Sequence, residues 1–64
     1  MNLKPVEIGI LVLSPSNGST EWIGDEQKLA HRLVKRGYLT IDLADPTIFR
    51  RTPEGEKALR ELMV

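Results

Sequence analysis

The sequence predicts a small, mainly α domain that carries one two-stranded β-hairpin, and three observations predict it. Leu29, Ala30, Leu33 and Val34 recur at helical spacing, and the pattern stops at Gly37. Leu39, Ile41 and Leu43 then alternate with Thr40, Asp42 and Ala44, the period of a strand with one buried face. Thr52-Pro53-Glu54 has the chemistry of a helix start, and Ala58, Leu59, Leu62 and Met63 behind it form an apolar stripe.

Taken in order, the first element reads two ways. Val6, Ile8, Ile10 and Val12 alternate with Glu7, Gly9, Leu11 and Leu13, as in a strand rich in β-branched residues. Pro5 suits the first position of a helix and Glu7 its first turn, although Gly9 costs a helix about 1 kcal/mol relative to Ala. Ser14 to Thr20 is a loop on composition, and its Asn17-Gly18 is also a hairpin turn signal. Trp22 and Ile23 share a face with Leu29 and Leu33, so Trp22 is expected to anchor the core with its indole N–H on a loop carbonyl. Asp25 is placed as N-cap of a helix over Glu26 to Arg36. In the hairpin, Tyr38 caps the core and Asp45-Pro46 fits a type I turn. Arg50 and Arg51 are neighbours on a strand and point to opposite faces, so one lies nearer the last helix, within reach of Glu54 or Glu61. The expected core is Trp22, Leu29, Leu33, Ile41, Phe49 and Leu59.

The run Leu33-Val34-Lys35-Arg36-Gly37-Tyr38-Leu39, together with Arg50-Arg51-Thr52-Pro53-Glu54-Gly55, resembles the winged helix-turn-helix family of transcriptional regulators. The first run is similar to the end of the family's recognition helix and its first wing strand, the second to the close of the wing and the helix behind it. The resemblance covers about half of the chain. It implies a helix over the first apolar run, with Ile10, Leu11 and Leu13 entering the core, and DNA as the ligand. The chain departs from the family at two places. Between Thr20 and Gly24 the middle helix is either abbreviated to one or two turns or fused into a single helix from Thr20 to Arg36. The family has an apolar residue where this chain has Arg51, so the returning strand is expected to be shifted or turned outward.

Sixty-four residues are expected to make one small domain over 1–64, burying roughly 60% of the surface its unfolded chain exposes. With no cysteine and one histidine, neither a disulfide nor a thiolate or histidine metal cluster can reinforce it, and no cofactor is expected. Dimerisation is therefore open on stability grounds. Ile8 to Leu13 is far short of the roughly 20 residues of a membrane span and lacks a cleavage site, so no membrane contact is expected and the expected location is cytoplasmic.

The net charge is zero, but its distribution is uneven. Met1 to Gln27 holds Lys4 against Glu7, Glu21, Asp25 and Glu26, whereas Lys28 to Arg51 holds six bases against Asp42 and Asp45. Lys28, His31, Arg32 and Lys35 stand at i, i+3, i+4 and i+7, one stripe opposite the apolar face. Charged stripes are usually solvated faces. This one has a uniform sign, and the resemblance sets it on the reading helix. Gln27, Lys28, His31, Arg32, Lys35 and Arg50 are therefore the expected contacts to double-stranded DNA, Gln27 at the reading end and His31 on a phosphate. Asp25 and Glu26 oppose phosphates at the helix start. The alternative is a protein-interaction module on the same scaffold, joining a partner or a second copy through Leu59, Leu62 and Met63 or through the wing. No glycine-rich phosphate loop, metal cluster or nucleophile–base pair marks an enzyme.

Overall fold

Among the described residues, three helices and the strands of one three-stranded antiparallel sheet are interspersed along the chain. The computed structural model describes residues 3–18 and 20–62. The elements are α1 (Pro5–Val12), β1 (Thr20–Glu21), α2 (Asp25–Lys35), β2 (Leu39–Ile41), β3 (Ile48–Arg51) and α3 (Pro53–Leu62). In the sheet β3 lies between β1 and β2.

The first apolar run is a helix. Pro5 stands at its start, and the Glu7 carboxylate turns back to accept the Lys4 backbone N–H at 2.9 Å, satisfying one of the donors a helix start leaves open. Ile10 and Leu11 are buried as expected. Leu13 is 61% exposed, because the helix ends at Val12 and its cap residue falls on the outward side. Glu7 is itself buried, with the Arg36 guanidinium 3.7 Å away.

The segment after the loop is not a helix, abbreviated or fused. Thr20 and Glu21 pair with Phe49 and Ile48, and the Trp22 N–H donates to the Thr47 carbonyl at 3.0 Å. The hairpin is thus the larger part of a three-stranded sheet, with β1 satisfying an edge of β3 that would otherwise present unpaired backbone groups. Gly24, at φ +66°, turns the chain into α2 and occupies the N-cap that the sequence suggested for Asp25. Ile23 is exposed rather than inward-facing, since it belongs to this turn and not to a helix. The indole of Trp22 finds a side chain instead of a carbonyl. Its Nε1–H donates to the buried Ser14 Oγ at 2.8 Å, and Ser14 in turn donates to the Ile10 carbonyl at 2.7 Å.

At its other end α2 stops as the sequence predicts. Gly37 lies at φ +87°, its N–H donates to the Val34 carbonyl (3.0 Å) and the Tyr38 N–H to the Leu33 carbonyl (2.9 Å), the paired closure of a Schellman motif. The hairpin turn closes with the Ile48 N–H on the Asp45 carbonyl at 3.0 Å. Thr52 caps α3, its Oγ1 accepting the Gly55 N–H at 3.1 Å and donating to the Gly37 carbonyl at 2.5 Å.

The core is Ile10, Leu11, Ala30, Leu33, Leu39, Phe49, Ala58 and Leu59. Of the expected core, Leu33, Phe49 and Leu59 are buried, while Trp22, Leu29 and Ile41 are half-buried against it. Burial of Leu59 removes it from the proposed partner-binding stripe on α3. Leu62 stays 41% exposed, and Met63 lies outside the described residues. Among the described residues no helix is long and apolar enough to cross a membrane.

Candidate nucleic-acid interface

The outer face of α2 carries Lys28, His31, Arg32 and Lys35, all exposed, while Ala30 and Leu33 on its inner face are buried. The helical period sets these two faces apart. No carboxylate among the described residues pairs with Lys28, Arg32 or Lys35. The other arginines of the core region are engaged: Arg36 lies near Glu7, Arg50 holds Asp42 and Arg51 holds Glu56. Part of the layout on α2 follows the helix dipole, with Asp25 and Glu26 in the first turn and Arg32 and Lys35 in the last. The dipole does not explain Lys28, nor the stacking of like charges at i, i+4 and i+7. Such like-charged pairs each cost a helix roughly 0.2–0.5 kcal/mol, a repulsion that a bound polyanion would relieve.

His31 stands at the edge of this face. Its ring meets Phe49 edge to face, with centroids 5.3 Å apart, so the imidazole is tied to the sheet as well as open to solvent. Gln27, in the first turn, is half-buried.

Arg50 does not join the stripe. It pairs in register with Thr40, and alternation sets it on the opposite sheet face from the buried Phe49. There its Nη1 donates to the Asp42 carboxylate at 3.1 Å. Asp42 is held below its ordinary value first by the Ala44 N–H and then by Arg50, and Asp45 by the Thr47 hydroxyl and N–H. The wing tip therefore presents two firmly ionised carboxylates with Leu43 fully exposed between them. The pairing follows from the register of the hairpin: with Thr40 opposite Arg50, Asp42 is the diagonal neighbour on the same face.

Arg51 is neither shifted nor turned outward. It pairs in register with Leu39, its side chain is 16% exposed, and it donates to the Leu11 and Val12 carbonyls at 3.1 and 3.3 Å. Its ion-pair partner is Glu56 at 2.9 Å, not Glu54 or Glu61.

A depression of about 160 Å³ lies beside α3, lined by Tyr38, Glu54, Lys57, Ala58 and Glu61 and apart from the α2 stripe. Among the described residues no three acids or histidines gather as a metal site. Comparison of the chain with known protein families, with curated proteins and with solved structures gives no match.

Proposed function

We propose that the chain is a small DNA-binding domain of winged-helix type, serving as a transcriptional regulator or as an accessory factor on DNA. The observation that carries the reading is the exposed face of α2, where Lys28, Arg32 and Lys35 have no carboxylate partner among the described residues. The order of elements supports it: a capped helix runs into an antiparallel hairpin, and a further helix closes behind. In this reading Lys28, Arg32 and Lys35 meet backbone phosphates and His31 adds a contact at the rim, while Gln27, half-buried beside Glu26, stands back from the closest approach. Asp25 and Glu26 place the acidic start of α2 away from phosphates, so the C-terminal half of the helix makes the closer approach. Arg50, neutralised by Asp42, contributes little.

A second reading rests on the wing tip. Leu43, fully exposed between Asp42 and Asp45, suits a basic protein partner better than a polyanion. One experiment separates the two. In a salt series on random duplex DNA, each phosphate neutralised adds about −0.9 to the slope of log affinity against log salt. Replacing Arg32 and Lys35 together by Ala should flatten that slope by nearly two units and leave the fold intact. Replacing Lys57 and Arg60 on α3 should change it far less. Absence of duplex binding at low salt, or equal loss in both double variants, overturns the DNA reading in favour of the interaction module.

A further inference from the structure

Asn17-Gly18 is a hairpin signal that the fold does not use. The pair lies in the loop that joins α1 to β1, and neither residue has the positive φ that a type I′ turn demands. Gly18 has a packing reason of its own, since a Cβ there would stand 3.1 Å from the Pro15 Cγ. Asn17 has none. Its side chain is exposed and makes no hydrogen bond among the described residues. The Gly18 N–H likewise has no acceptor among them. On either side the loop is tied down. Ser14 accepts the Trp22 indole N–H at 2.8 Å, and the Thr20 hydroxyl donates to the Leu13 carbonyl at 2.6 Å.

What the pair offers is reactivity. An asparagine amide carbon lies within ring-closing distance of the next backbone nitrogen, and a following glycine, with no Cβ, leaves that nitrogen open to approach. Asparagine is for this reason one of the thermolabile residues. A hydrogen bond to the amide or to the nitrogen would hold the two apart, and here both are free of one among the described residues.

We propose that Asn17 is a site of spontaneous covalent modification in the folded protein, deamidated through the Gly18 nitrogen with water as the co-reactant. The Gly18 nitrogen gives up its proton and bonds to the Asn17 Cγ. The Cγ–Nδ2 bond breaks, and the amide nitrogen leaves as ammonia, carrying that proton. Water then opens the resulting cyclic imide at either carbonyl. One opening leaves an aspartate at position 17, the other an isoaspartate whose main chain runs through the former side-chain carbon. Either product adds one negative charge to a chain of zero net charge. The site is independent of the DNA reading.

Peptide mass mapping of the full chain, held for a series of times at mildly alkaline pH, tests the proposal. Asn2, followed by the branched Leu3, is the reference within the same sample. Asn17 should exchange ammonia for water about tenfold faster than Asn2 or more, and the product should separate from the parent on anion exchange. Gly18→Ala, whose methyl crowds the attacking nitrogen, should slow the exchange about tenfold. Asn17→Gln, which cannot close the same ring, should remove it, with the far-UV spectrum unchanged. Equal rates at Asn2 and Asn17, or a rate indifferent to Gly18→Ala, overturn the proposal. Exchange that occurs in guanidinium chloride and not in the folded chain overturns it too, because the loop then withholds the nitrogen from the amide.

Discussion

Arg51 ties three elements together from one position on β3. Its Nε donates to Glu56 on α3, and its Nη1 reaches the Leu11 and Val12 carbonyls at the end of α1, where α1 has no basic residue of its own. A guanidinium there satisfies carbonyls the helix leaves open and opposes the negative end of its dipole. The Ser16 hydroxyl, and after it Arg51, hold the Glu56 carboxyl below its ordinary value. A carboxylate depressed in the folded state contributes stability that is fully present above its unfolded pKa and is lost as pH falls through the folded one. Acid should therefore destabilise the domain as pH is lowered below the ordinary carboxylate range, with Asp42, Asp45 and Glu56 all contributing. Glu56→Gln should melt below the parent at neutral pH and converge on it as pH falls through the lowered folded-state pKa, which a series of thermal melts will show. Ser14 makes a comparable link with an uncharged group. Ser14→Ala removes the acceptor of the Trp22 indole and should cost about 1–3 kcal/mol, whereas adding Trp22→Phe should restore part of that loss. A double-variant cycle by denaturant unfolding measures the coupling.

At the scale of elements, the turn between α2 and β2 packs closely against the start of α3. The Tyr38 carbonyl accepts the Thr52 N–H at 3.1 Å, and a Cβ on Gly55 would collide with that same carbonyl oxygen and crowd the Leu11 side chain. Gly55→Ala should therefore destabilise the domain by about 1–3 kcal/mol, the usual cost of overpacking, even though alanine is the better helix former. For a domain of this size that is a drop in melting temperature of several degrees or more, read by calorimetry. Elements whose signals are local were legible in the sequence: the Gly37 stop, the alternation of Leu39 and Ile41 and the Thr52 cap each depend on residues a few positions apart, whereas Leu43, expected on the same buried face, lies beyond β2 and is fully exposed. Strand β1 was not, because two residues carry no period and their partners, Ile48 and Phe49, lie far along the chain. The inward turn of Arg51 was hidden for the same reason, since its partners are backbone carbonyls at the end of α1. In the candidate site, the α2 stripe follows from helical spacing alone. The loss of Arg50 to Asp42 depends on cross-strand register, which spacing does not supply.

Across the whole molecule, zero net charge conceals a polarity. Asp25 and Glu26 open α2 and Asp42 and Asp45 flank the wing tip, while Arg32 and Lys35 stand in the last turn of α2. Long-range steering of a neutral protein is weak, so binding to a polyanion depends on how closely that basic face can dock and falls steeply with salt. Such a layout also orients the domain, turning the acidic start of α2 away from the phosphates. The most direct measurement is an amide chemical-shift titration of the full chain with random duplex DNA at low salt. The account predicts shifts concentrated on α2 from Lys28 to Lys35, with the wing tip at Leu43 and the outer face of α3 at Lys57 and Arg60 unmoved. Shifts confined to the wing tip or to α3, or none at all, would contradict it.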